Sequence, residues 1–277
     1  LEEQHSAEVS GVIKPPTVRA VRSGGRASRA AVAAAAALVK AAKRPLVLAG
    51  GGLVRSHDGE KSLKAFVDRC QVPVATTVPA KGMLDETHPL AVGPTGRSGT
   101  WAASNASRNA DVIIALGARF SDNNAGNWRK NAIYDQDETK IIQVDLAVEE
   151  IGRNYDVAMG LTADAGGFLD DLAAELGDTT LDIQTWRDQI AEYQADWQKE
   201  FDRVATDQGA QIHPGRLSYE IGEALKRNPK AHLFVDIGDI DQYAEPYMKI
   251  TVPHTWHISS GMAEMGEMEM PMPDNTL

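Results

Sequence analysis

Apolar residues in this chain occur in two patterns. Short unbroken runs rich in Val, Ile and Leu occupy residues 46–49, 72–76, 111–116, 140–144 and 157–161. Most of them end at Gly, Pro or Asp, as expected of strands buried on both faces. Between them, residues 29–43, 58–69, 100–109 and 163–176 show helical patterns. In the second of these, Leu63, Phe66 and Val67 share one side; the first is alanine-rich behind a capping Ser28. Strands alternating with helices predict an α/β fold built on a doubly wound parallel sheet. Ligands of such sheets bind beyond the carboxyl ends of the strands. Those ends fall at residues 50–52, 76–81, 117–122 and 145.

The first strand runs into Gly50-Gly51-Gly52. Lacking a Cβ, these residues admit a close neighbour, which is either a ligand or the backbone of a tight turn. The spacing is not the G-x-G-x-x-G fingerprint, because Arg55 stands where the third glycine would be. No Gly-Lys-Ser/Thr follows, so it is not a P-loop either. Further on, Trp186, Ile190, Tyr193, Trp197 and Phe201 recur at helical spacing and predict a long helix packed on the domain. His213-Pro214 opens a new unit, with a helix over 217–225 and a strand over 232–235 that ends in Asp236-Ile237-Gly238. The division that results is a linker at 1–27 leaving an earlier domain, a central domain at 28–178, a helical linker at 179–212 and a partial second α/β domain at 213–277. Residues 264–277 carry methionines among acids and prolines without either period, and read as disordered.

At 277 residues the chain has room for about two domains. Its net charge of −11 argues against nucleic acid as a partner. One cysteine, Cys70, cannot form an internal disulfide; it is expected to be a buried thiol in a reducing, cytoplasmic protein. No apolar run is long enough for a membrane span, and no secretory signal is visible. The first residue is Leu1 rather than Met, which suggests a longer protein.

Several motifs occur together in order: residues 49–52, Val72-Pro73-Val74-Ala75-Thr76-Thr77, Lys81-Gly82, His88-Pro89-Leu90, residues 93–100, residues 110–122 and Val144-Asp145 with residues 150–154. This series resembles the central domain of thiamine-diphosphate enzymes of the acetolactate synthase type, over about residues 12–266. In that family this domain holds FAD, ADP or a CoA moiety in some members and nothing in others. The resemblance implies a nucleotide site that would use Gly51, Gly52, Gly93, Gly96, Gly99, Arg119 and Asp145. The glycines at 93, 96 and 99 would offer amides to a diphosphate. Arg119 would pair with a phosphate, or else form a surface ion pair. Asp145 would accept from a ribose hydroxyl. The chain departs from the pattern at Ala147 and Val148, and its loop at 123–128 lacks the arginine usual after Asp122.

The last part is similar to the start of the family's diphosphate-binding domain. By that resemblance Gly238, Asp239 and Ile240 meet the diphosphate of thiamine diphosphate, Glu264 and Met265 lie by its aminopyrimidine ring, and His257 is structural. The Gly-Asp-Gly that holds Mg2+ in the family, and the glutamate of its amino-terminal domain, are not in this sequence. The resemblance therefore implies a fragment, inactive alone, of a homodimeric or homotetrameric enzyme. The intact enzyme would decarboxylate a 2-oxo acid such as pyruvate and transfer the remaining fragment to an acceptor. A related carbon–carbon hydrolase or acetyltransferase, and a non-catalytic nucleotide-binding module, are the alternatives.

Overall fold

The computed structural model describes residues 25–258. Helix α1 (Arg29–Ala41) begins where the Ser28 hydroxyl accepts from the Ala31 amide at 3.2 Å. It leads into β1 (Pro45–Ala49), buried along its whole length. The one-turn α2 (Gly51–Val54) and the amphipathic α3 (Gly59–Cys70) follow, the latter burying Leu63, Phe66 and Val67. Then come β2 (Val74–Thr76), β3 (Ala91–Pro94), α4 (Trp101–Asn109), β4 (Val112–Leu116), β5 (Lys140–Asp145), β6 (Met159–Thr162) and α5 (Ala165–Leu176).

The six strands pair in parallel in the order β3-β2-β1-β4-β5-β6. The chain winds outward from β1 through β2 and β3, returns to the other side of β1, and winds outward again through β4, β5 and β6. This is the predicted doubly wound sheet, with its switch point between β1 and β4. Helices α1, α3 and α5 pack together, and α4 packs with α6 (Gln184–Ala205). Trp186 anchors α6 by donating its indole N–H to the Pro45 carbonyl at 2.9 Å, while Ile190 is fully buried. The aromatic series at 186–201 is thus a packing face. Cys70 is buried as expected, and burial pushes its thiol pKa up.

Strand β3 goes beyond the sequence pattern, because its Gly93-Pro94 lacks the apolar run that marks the other strands. The second unit contains α7 (Pro214–Arg227), β7 (Leu233–Val235), α8 (Asp239–Tyr247) and β8 (Trp256–Ile258), with β7 and β8 parallel. Pro214 suits the first turn of α7, where His213 Nδ1 accepts from the Gly215 amide at 3.0 Å. Helix α8 has no counterpart among the elements predicted from the sequence; its Pro246 sits near the helix end. Val235, Ala244, Met248, Ile250 and Trp256 form a small apolar cluster with Val78, beyond the end of β2. Among the described residues, no helix is long and apolar enough to cross a membrane. Residues 1–24 of the expected linker and the whole 264–277 segment lie outside the described residues.

Candidate functional site

The carboxyl edge of the sheet is where the predicted nucleotide residues fall, and the chain itself occupies much of it. A Cβ added to Gly52 would stand 2.6 Å from the Cα of Gly117, at the end of β4. Gly50 is equally blocked by the Gly117 carbonyl. The Gly50 amide donates to the Leu116 carbonyl at 2.9 Å, and the Gly52 amide to Gly117 at 3.0 Å. These glycines let two strand ends meet at the switch point, so their lack of side chains is explained without a ligand. Gly51 is different, since its nearest neighbour would be Pro79 Cβ at an ordinary 3.4 Å.

The second glycine series also serves the fold. A Cβ on Gly93 would stand 2.8 Å from Thr100 Cγ2, and one on Gly96 2.7 Å from the Asn123 carbonyl; Gly99 is blocked by Pro94. Gly93 and Gly96 have φ of +91° and +128°, which disfavour any side chain. The amides of Arg97, Gly99 and Thr100 donate to Asn123, Gly96 and Pro94 at 2.9, 3.2 and 2.8 Å. Of the three glycine amides expected to face a diphosphate, that of Gly99 is turned into the chain. Asn124 adds a side-chain bond to the Thr95 carbonyl at 3.3 Å. The loop after β4 therefore reaches the loop after β3, across the ends of β1 and β2.

Arg119 and Asp145 lie at the ends of neighbouring strands β4 and β5. Arg119 is exposed and forms no ion pair among the described residues, so the surface-pair alternative finds no partner there. Asp145 is half-buried, and its Oδ1 accepts from the Ala147 amide at 2.9 Å. Leu146 and Val148 beside it are exposed, at 41% and 67%. Arg119 is thus grouped with Asp145, while Gly93 lies on β3, two strands beyond β1 on the opposite side, with Gly96 and Gly99 in the loop after it. Gln143, which the sequence motifs do not single out, braces this side. Its amide nitrogen donates to the Ala118 and Glu150 carbonyls at 3.1 and 2.9 Å, and its oxygen accepts from Gly152 at 2.9 Å. The signal for it is a lone amide in an otherwise apolar strand.

The diphosphate candidates lie on the second unit. Gly238 precedes α8 with φ +147°, and a Cβ added there would meet nothing within 4 Å, so the backbone is open to a close neighbour. Its amide donates to Asp241 Oδ1 at 3.3 Å, and the Ile237 amide to Asp236 Oδ1 at 2.9 Å. Asp239 and Ile240 are exposed. Glu264 and Met265 lie outside the described residues. His257 stacks on Phe234 and His232 in the β7–β8 pair, a structural position. The second unit is held to the sheet domain by residues that no sequence motif marks for this role. Lys81 and Glu86 form a buried ion pair at 2.6 and 2.8 Å, with side chains 1% and 6% exposed. Glu86 also exchanges bonds with Ile250: its amide donates to the Ile250 carbonyl at 3.0 Å, and its Oε2 accepts from the Ile250 amide at 2.7 Å. Trp256 donates its indole N–H to Val78 at 3.0 Å while Lys81 lies over its ring.

The family described as thiamine pyrophosphate enzyme, central domain, matches residues 32–172, which span the six-stranded sheet and most of its helices. The chain belongs to the thiamine pyrophosphate enzyme family. Among its relatives is the probable acetolactate synthase large subunit of Methanocaldococcus jannaschii, 33% identical over 238 residues, covering 84% of this chain and 39% of that protein. The acetolactate synthase large subunit of Corynebacterium glutamicum is 31% identical over 234 residues, covering 83% and 36%. The sulfoacetaldehyde acetyltransferase of Alcaligenes xylosoxydans xylosoxydans is 29% identical over 272 residues, covering 87% and 43%. The chain thus spans about two fifths of the length of these curated relatives.

The described residues meet a diphosphate only in part. The open backbone at Gly238 suits its approach, and the amides of Ile237 and Gly238 are the donors it would need. Those amides are held by carboxylates, and Asp236, Asp239 and Asp241 would repel a second anion. The cation nearest in effect is Arg97, which acts on Asp241 from the β3–α4 loop. The countercharge for a diphosphate is not supplied by this loop.

Proposed function

We propose that the whole protein is a thiamine-diphosphate-dependent carboligase or decarboxylase acting on a 2-oxo acid such as pyruvate. The observation that supports this most is the similarity, across more than four fifths of the chain, to two relatives named acetolactate synthase large subunit. Thiamine diphosphate, held with Mg2+, would supply the electron sink for cleavage beside the carbonyl. This chain would contribute the central domain and the Gly238 loop, with Asp239 and Ile240 flanking the cofactor's anionic end. Alone it would be inactive; the intact enzyme would be a homodimer or homotetramer. The single free cysteine suits a cytoplasmic protein.

The likeness to a sulfoacetaldehyde acetyltransferase favours a second reading, an acetyl transfer within the same family. In either case Arg119, with Asp145 beside it, is the best-placed group for FAD or ADP on the central domain. Full-length protein supplied with thiamine diphosphate and Mg2+ should form acetolactate from pyruvate. Consumption of sulfoacetaldehyde in place of pyruvate would select the second reading, and no turnover of either would refute both.

A further inference from the structure

Helix α8 carries a buried carboxyl group that the reading above does not use. Glu245 is 2% exposed, and its Oε2 has no hydrogen-bond partner among the described residues. It sits between Ala244 and Pro246, both buried, on a helix that packs against α7, β7 and β3. Three charged groups act on it: Asp241 one turn earlier on α8, Lys81 from the segment after β2, and Arg97 from the loop after β3. Lys81 is already committed to Glu86, at 2.6 and 2.8 Å. Arg97 is exposed and forms no ion pair among the described residues. Ionised, Glu245 would be a buried charge beside a like charge, with its cations shared or solvated, and such a group seeks water or a proton.

We propose that Glu245 is a proton-operated latch: protonated, it lets α8 lie against the end of the central sheet, and its ionisation drives α8, with the Gly238 loop at its head, towards solvent. Burial first, and Asp241 second, push the carboxyl from its ordinary 4.5 up to about 7. The sign follows from that direction. A carboxyl that holds its proton more tightly when docked favours docking fully below pH 4.5; the advantage shrinks as pH rises towards 7 and is gone above it. At tenfold per pH unit, the docking equilibrium should change on the order of a hundredfold between these limits.

Hydrogen exchange across residues 240–248 of the chain, from pH 5 to 8.5 and corrected for intrinsic exchange, tests the latch. Protection in the wild type should fall on the order of a hundredfold as pH rises, and Glu245→Gln should remove the dependence. Asp241→Asn, which deletes the like charge, should move the midpoint to lower pH, and Arg97→Gln should move it to higher pH. Should the Glu245→Gln variant fail to fold, these two opposed displacements still decide the matter. A flat wild-type profile, an unchanged slope in Glu245→Gln, or displacements in the same direction would overturn the proposal.

Discussion

Replacing Glu86 by Gln probes the attachment of the second unit most directly. In the wild type the carboxylate accepts two bonds from Lys81 and one from the Ile250 amide, with both charged side chains almost wholly buried. Glutamine keeps the shape and can still accept from Ile250, but it leaves the Lys81 ammonium buried without a countercharge. Removing one partner of such a pair costs about 3–5 kcal/mol, because the remaining charge stays desolvated. With a urea slope of about 2 kcal/mol per M, the unfolding midpoint should drop by ~1.5–2.5 M. Tryptophan fluorescence reports it, since Trp256 lies under Lys81. A second variant should rescue the first. Lys81→Met together with Glu86→Gln removes both charges, and the double variant should recover to within about 1.5 kcal/mol of wild type. A single-variant loss below ~1 kcal/mol, or a double variant no better than Glu86→Gln alone, would show that the buried charge is not what holds this junction.

Other outcomes follow from the same geometry. Gly52→Ala should lose about 1–3 kcal/mol in urea unfolding, because its Cβ would meet Gly117 Cα at 2.6 Å. Gly51→Ala, with only Pro79 at 3.4 Å, should be neutral or gain up to ~1 kcal/mol; equal losses at both sites would undo the explanation of the glycine loop. Calorimetric titration with ADP and FAD should show binding that weakens about tenfold or more in Arg119→Ala, and an unaltered affinity would remove Arg119 from the site. Residues 28–178 should exchange amide hydrogens far more slowly than residues 213–258, which share only a small apolar cluster; uniform protection would contradict independent folding of the central domain.

The sheet was legible because burial on both faces leaves a direct mark on composition. Residues 112–116 read Val-Ile-Ile-Ala-Leu, and no other element accommodates that run between Asp111 and Gly117. β3 left no such mark, since it is a short outer strand whose residues alternate between buried and half-buried. The glycines were legible as sites of close approach, but not as to what approaches. That depends on β1 and β4 being neighbours, a fact of winding order which joins residues 52 and 117. For the same reason Glu86 reads as an ordinary polar residue, and Lys81 only as part of a motif with no partner assigned. Their meaning comes from Ile250, 164 positions beyond Glu86, and no local pattern carries it.

The bond between Trp256 and Val78 spans 178 residues of sequence. A ribosome adding about 5–20 residues per second makes Leu176, the end of α5, roughly 4–16 seconds before it makes Trp256. Through that interval the sheet domain can close around its own core, while the surface at Val78 and Gly82 stays bare. A nascent chain would therefore display a ready-made apolar socket well before its own plug is synthesised. During that time the socket is open to whatever else is being made nearby, a neighbouring copy of the same polypeptide included.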